Sequence, residues 1–222
     1  MIGTGVFTSL GFQLLEIQSG FVILMLWAVG GVVALCGALS YAELGAALPR
    51  SGGEYNFLTR IYHPAAGFIS GWVSSTIGFA APTALVALTS GAYLSSALPF
   101  LPDGSATWVA GLLVISLAAI HATHRNNSAL IQNSFTVAKI ALIVLFCVAG
   151  VLMTHAPQEM HFLPTQGDGA LLFSGAFAVS LIYVTYAYTG WNAVTYISGE
   201  VENPQRTIPL ALIAGTAVVA LL

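Results

Sequence analysis

Apolar runs of about 20 residues or more recur along nearly the whole of this 222-residue chain, and that recurrence leaves few folds open to it. Inside a bilayer no water serves an exposed N–H or C=O, so such a chain crosses as helices whose backbone groups are satisfied within each segment. Charged residues are 6% of the sequence and hydrophobic ones 57%, against about 25% charged in an ordinary soluble domain. No stretch is left over for a soluble domain. The expectation is an all-α integral membrane protein.

One partial span, five complete ones and a truncated last one are predicted. Residues 1–15 are too few to cross an apolar core of about 30 Å at about 1.5 Å per residue, and read as half a helix. A signal peptide is disfavoured there, since a basic leading region and a small-residue cleavage site are both missing. Further spans are expected at about 21–41, 65–98, 107–121, 128–153 and 170–198, with a seventh from about 207 to 222. The third would reach about 50 Å if helical throughout, so it must tilt or overshoot. Its Gly67, Ser70, Gly71, Ser74 and Gly78 have small-xxx-small spacing and read as a helix-packing face.

Arg50, Arg60, Arg125 and Arg206 fall in alternate loops and the remaining loops carry no Lys or Arg, which makes the basic loops cytoplasmic. The first half-helix then runs outward. Acidic residues lie on both sides, Glu159 and Asp168 outside, Glu43 and Glu54 inside, and weigh little. Residues 42–64, with Leu44, Leu48, Phe57, Leu58 and Ile61 among charged neighbours and a Pro49-Arg50-Ser51-Gly52-Gly53 break, suggest a short interfacial helix, either a hinge or a gating element. A formal charge of −3 without any basic run points away from nucleic acid. Cys36 and Cys147 stand alone, without metal or redox spacing.

Two polar, glycine-containing breaks interrupt this apolar pattern: Gly3-Thr4-Gly5, and Tyr186-Ala187-Tyr188-Thr189-Gly190-Trp191-Asn192 inside the sixth span. Loosened backbone at membrane depth survives where it lines a protein cavity, and a pair of interrupted helices points to the substrate site of a secondary transporter. Unwound helix ends can supply donors and acceptors there without full charges, which are expensive at the bilayer centre. After Gly3-Thr4-Gly5 the outward half-helix offers free N–H groups and a positive dipole end to a carboxylate, with the Thr4 hydroxyl as a further donor. Around Tyr186 to Thr189 the first half of the sixth span offers carbonyls to an ammonium. A dinucleotide-binding reading of Gly3-x-Gly5 fails, because residue 8 is Thr and no strand precedes it.

As bare residues, Tyr183, Tyr186, Tyr188 and Trp191 read as aromatic packing between helices. Lys139, the single lysine, lies about 21 Å beyond Arg125 along a helix, inside the apolar region. It is a functional candidate by default, as a fixed tether or a proton carrier, with snorkelling as the bland alternative. His121 and His124 form an i, i+3 pair that reads as interfacial, for want of a third metal ligand. Asn126-Asn127-Ser128 matches a glycosylation sequon on the cytoplasmic side. Glu200, Glu202 and Arg206 read as a solvated cluster near the inner gate.

Taken in order, Gly3-Thr4-Gly5-Val6-Phe7, the stretch from Ala42-Glu43-Leu44 to Pro49-Arg50-Ser51-Gly52-Gly53-Glu54-Tyr55, Gln132-Asn133-Ser134-Phe135-Thr136-Val137-Ala138-Lys139, and Tyr188-Thr189-Gly190-Trp191-Asn192 followed by Gly199-Glu200-Val201-Glu202-Asn203-Pro204 resemble the amino acid-polyamine-organocation (APC) superfamily. The likeness is nearest to the L-type amino acid transporter branch and its bacterial relatives. It implies a partial LeuT-type inverted-repeat fold, from the second half of span one to the start of span seven. Residues 1–222 would then be one incomplete transmembrane domain. Within it, 1–153 would be the first repeat lacking its first half-helix, and 170–222 the start of the second.

The resemblance further implies that the carbonyls of Met1, Tyr186 and Thr189 hold the ammonium, that the Tyr186 ring gates the site, and that Asn192 lies near the substrate. Lys139 would occupy the place of sodium in sodium-coupled relatives, tying the fifth span to the first and eighth, which implies sodium independence. The expected function is secondary active amino acid transport by alternating access, as uniport, antiport or proton-coupled transport, in the plasma membrane. No cofactor or covalent chemistry is expected, and a partner subunit cannot be read from the residues. A neutral, small or apolar substrate is expected, because the sequence places neither an acidic side chain nor an arginine near the breaks. A truncated non-transporting relic, or a subunit needing a partner, is the alternative. A channel would need a continuous polar stripe, and an enzyme a nucleophile or metal set at common depth.

Overall fold

The computed structural model describes residues 3–98, 100–102, 104–123, 125–153 and 161–221. Every regular element among them is helical: α1 (Thr4–Glu16), α2 (Gly20–Ala47), α3 (Glu54–Ile61), α4 (Pro64–Val73), a π-helical segment (Ser74–Ala80), α5 (Ala81–Ala97), α6 (Ala106–Thr123), α7 (Arg125–Met153), α8 (Asp168–Leu172), α9 (Gly175–Ala187), a 3-10 helix (Ala193–Glu200) and α10 (Pro204–Leu221). Four stretches, Gly20–Ala47, Pro64–Ala97, Ala129–Met153 and Pro204–Leu221, are long and apolar enough to cross a membrane. The protein is a multi-pass, all-α membrane protein.

Packing divides the chain into two compact units, and the division does not follow sequence order. One unit joins the described parts of Met1–Phe68 and Met153–Leu222, so residues from both ends of the chain share a core. Its centre is α2, whose buried face is small: Gly30, Gly31, Ala34, Ala38, Ala42 and Gly45 recur at helical spacing. On this face lie α9 and α10. A Cβ on Gly30 would strike Val184, and one on Gly45 would come within 2.8 Å of Ile208. Close approach of this kind is how small-residue faces bind helices in lipid, where the hydrophobic effect between helices is weak. The sequence reading put such a face on the third span and overlooked this one. Of Gly67 and Gly78, only Gly67 meets another element, against Thr59 and the Tyr55 carbonyl of α3.

The loops of this unit sort by charge. At the N-terminal end of α2 the Phe21 N–H donates to the His161 carbonyl at 3.1 Å, bringing together two loops that carry no Lys or Arg. At its other end, residues 48–53 and 199–206, bearing Arg50 and Arg206, lie together around a cleft lined by Pro49, Asn203 and Arg206. A membrane orientation with all basic loops on one side needs this segregation.

Asp168, buried at the first residue of α8, folds back on the turn that precedes the helix. Its Oδ2 accepts from the Thr165 N–H at 2.7 Å and from the Thr165 hydroxyl at 3.0 Å. The Thr165 N–H, outweighing the cost of burial and aided by Ser19 and Thr165 hydroxyls and by His161, holds the carboxyl below its ordinary value of 3.8. A depressed carboxyl stabilises the folded state fully above the unfolded value, and loses that contribution as pH falls through the folded one. Asp168→Asn is therefore expected to lower the melting temperature at neutral pH, with the gap to wild type narrowing as pH falls through the depressed folded value. A pH-independent gap in a thermal-shift series would refute the assignment.

The structure corrects two expectations in this unit. Residues 42–47 belong to α2, which stops where Leu48 precedes Pro49 and is pushed out of helical geometry. The interfacial helix is accordingly the short α3, and Glu43 and Leu44 lie outside it. The sixth span is interrupted twice, once between α8 and α9, where Ser174 caps α9 through the Phe177 N–H, and again after Ala187. Its second half is 3-10 and not α-helical.

The second unit, Ile69–Leu152, holds the rest of the third span with α5, α6 and α7. Pro82 lacks an N–H and its ring crowds the carbonyl four residues back. The turns before it widen into the π-helical segment, where the Thr76 and Ser75 hydroxyls bond the Trp72 carbonyl at 2.7 and 3.0 Å. Neighbours α5 and α6 meet through Gly91 against Ala106 and a 3.1 Å Ser95–Ser105 hydrogen bond.

Candidate functional site

The two breaks read from the sequence meet in the first unit. Along the α1–α9 contact, Gly5 faces Ala187, the Ser9 hydroxyl donates to the Tyr183 carbonyl at 3.2 Å, and Phe12 stacks on Tyr183 at 5.4 Å. That register is antiparallel and sets the N-terminus of α1 beside the C-terminus of α9. Positive and negative dipole ends therefore lie side by side.

Each end is open. Gly3 precedes α1 in extended conformation, and no side chain caps the first N–H groups. At the end of α9 the Val184 carbonyl accepts the Tyr188 N–H at 3.0 Å. The Tyr186 carbonyl accepts both the Thr189 N–H, at 3.1 Å, and the Thr189 hydroxyl, at 2.7 Å. No described N–H bonds the carbonyls of Ala187, Tyr188 or Thr189. Of the two carbonyls expected here as ammonium acceptors, that of Thr189 is open and that of Tyr186 already holds two donors. The Met1 carbonyl lies outside the described residues, and Thr4 heads α1.

The aromatic residues divide between roles. Tyr188 is buried edge-to-face against Trp27 at 5.9 Å, Tyr183 stacks on Phe12, and Trp191 meets Tyr41 at 4.9 Å. These three are packing residues. Tyr186 as a residue is 41% exposed, in the last turn of α9 that leads to the open carbonyls. Toward the other ends of α1 and α9 an open cleft of about 430 Å³ is lined by Phe12, Glu16, Val179 and Tyr183.

Beyond the second break lies a cluster that the sequence reading missed. The Glu54 carboxylate takes three donors: the Asn192 amide at 2.7 Å and the Tyr41 hydroxyl at 3.0 Å on Oε1, and the Tyr196 hydroxyl on Oε2. Glu54 arrives on a loop stapled to the 3-10 helix. The Gly52 and Gly53 N–H groups each donate at 3.2 Å, to the Tyr196 and Thr195 carbonyls, and the Gly199 N–H donates to Ser51 Oγ at 2.9 Å. Contrary to the expectation from sequence, an acidic side chain does lie beside the second break. Folding brings one there from 138 residues away. Only the Ser51-Gly52-Gly53-Glu54 turn signal could have pointed to a docked loop, and it names no partner.

Other candidates sit elsewhere. Lys139 is half-buried on α7 in the second unit. His121 is exposed on α6, and His124 lies outside the described residues. Glu200, Glu202 and Arg206 are exposed, as expected for a solvated cluster. Among the described residues no three His, Cys, Asp or Glu side chains group as metal ligands.

Comparison with known proteins agrees with this picture. The amino acid permease family model matches residues 1–222. The chain is 30% identical to the human b(0,+)-type amino acid transporter 1, over 99% of the chain and 45% of that protein. It is 32% identical to the human cystine/glutamate transporter, over 100% and 44%. With the rabbit large neutral amino acids transporter small subunit 2 it shares 27% over 96% and 41%. It thus spans less than half the length of these relatives, all of them transporters and not enzymes. Matched along its whole length, the chain belongs to the amino acid permease family, within the amino acid-polyamine-organocation superfamily that its motifs resemble.

Proposed function

We propose that this chain carries the substrate-holding half of a secondary amino acid transporter of the plasma membrane, working by alternating access on a LeuT-type plan. The observation that carries the reading is the Gly5–Ala187 contact, which sets uncapped N–H groups beside open carbonyls. A zwitterion laid across them has donors for its carboxylate at residues 3–5 and acceptors for its ammonium at Thr189. The Tyr186 ring covers it and Asn192 flanks it. Residues 1–153 form most of the first repeat and 170–222 open the second. Lys139 acts as a fixed tether in place of sodium.

The relatives' names span cystine, glutamate and large neutral amino acids, so the family alone does not select a substrate. The one carboxylate beside the break is consumed by three donors, which favours a neutral side chain in the substrate. The full-length protein reconstituted in liposomes is expected to take up L-leucine or L-alanine saturably, and equally well when sodium is replaced by choline. Preference for L-arginine or L-glutamate would overturn the neutral-substrate reading. Absence of saturable uptake of all four would overturn transport.

A further inference from the structure

We propose that Glu54 is a positioning residue for the amino acid site, and that it fixes the Asn192 amide so that Oδ1, and not Nδ2, is the end offered to substrate. The inference rests on the proposed placement of Asn192 beside the substrate. An ionised carboxylate only accepts hydrogen bonds. With the Tyr41 and Tyr196 hydroxyls already donating to Glu54, the amide can meet it only through its NH2 group, and it does so at 2.7 Å. Charge assistance makes this the strongest restraint on the amide. Its other Nδ2 contact, to the Tyr196 hydroxyl, is 3.5 Å long. No described donor reaches Oδ1. The exposed end of Asn192 is therefore an acceptor, suited to the substrate ammonium and unsuited to its carboxylate.

Several features hold Glu54 where it can do this. Gly53 reaches the site with φ +51° and ψ −128°, and its missing Cβ leaves room for the Tyr196 ring at 2.8 Å. Tyr41 is itself held edge-on between Phe57 and Trp191, at 5.7 and 4.9 Å. The hub thus couples α2, the 49–54 loop and the segment after the second break.

A glutamine at position 54 would present one acceptor and one donor group to the same three partners. Asn192 would then gain by turning Oδ1 toward that amide and Nδ2 toward the substrate. The test compares competition by L-leucine and by isocaproate, its analogue without the ammonium, against radiolabelled L-leucine on the full-length protein. In Glu54→Gln, leucine affinity is expected to fall about tenfold while isocaproate affinity does not fall, so discrimination for the ammonium shrinks by the same factor. Glu54→Asp keeps an acceptor at the hub and is expected to retain the discrimination.

Glu54→Ala frees the amide to rotate, and serves should the glutamine variant not assemble; the same loss is expected. Wild-type discrimination in either the glutamine or the alanine variant overturns the proposal. Asn192→Ala separates the two readings. If it weakens leucine binding while the Glu54 variants keep their discrimination, positioning fails and the site stands. If it leaves leucine and isocaproate binding at wild-type levels, Asn192 is not at the site and both fail.

Discussion

Gly5→Ala abolishes saturable amino acid uptake: this is the largest effect expected of any single methyl group in the chain. The added Cβ would lie 2.7 Å from Ala187 Cα and 3.3 Å from Ala187 N, and neither backbone atom can swing aside as a side-chain tip would. Relief requires α1 and α9 to part. Overpacking of this kind costs about 1–3 kcal/mol of stability, which a membrane protein can survive. The open N–H groups and carbonyls cannot keep their spacing through such a shift, so binding suffers more than folding. Gly11→Ala on the same helix is the control, since nothing stands within 4 Å of its Cβ position. Uptake and thermal stability measured on both variants decide the matter. Wild-type uptake by Gly5→Ala would show that the close approach is not needed to hold substrate.

The second large effect is expected from Gly53→Ala. At φ +51° and ψ −128° a side chain is strained, at about 1–3 kcal/mol. The new methyl would also meet the Tyr196 ring at 2.8 Å. Both penalties vanish if the loop lifts from the 3-10 helix, giving up the Gly52, Gly53 and Ser51 staples and carrying Glu54 away from Asn192. Lifting is therefore the expected response. Deuterium exchange across residues 49–56 should rise well above wild type, and uptake should fall with it. Unchanged exchange in a folded variant would mean that the loop absorbs the methyl in place.

Much of this was legible before any coordinates. Gly3-Thr4-Gly5 and the 186–192 segment announce themselves because glycine and polar residues cluster there inside apolar runs, where loosened backbone survives only beside a protein cavity, and the two do meet at Gly5 and Ala187. Where the helices change type was not legible. The pitch of a π or 3-10 turn is read from the spacing of polar residues, and in Ser74–Ala80 the three hydroxyl residues are consecutive, which leaves no spacing to read. The extent of α2 was misjudged for a different reason. The apolar run gives way to charged neighbours from Glu43, whereas the helix stops only where Leu48 precedes Pro49. The Glu54 hub lay beyond reach, because a hydrogen bond spanning 138 residues leaves no periodicity to detect.

Within the 3-10 helix after the second break, Thr195 and Ser198 are buried, and each spends its hydroxyl on the carbonyl three residues earlier, at 2.7 and 2.9 Å. Between them Ile197 leaves helical geometry, at φ −115° and ψ 18°, so the two hydroxyl-capped turns are separate windings that meet at a kink. The segment is thus two short screws in series, each with one buried seat, Thr195 before the kink and Ser198 after it. A change in the Ile197 dihedrals would swing Ser198 and Gly199 together as one piece, and with them the loop that Ser51 pins to Gly199, while leaving the Thr195 turn in its seat.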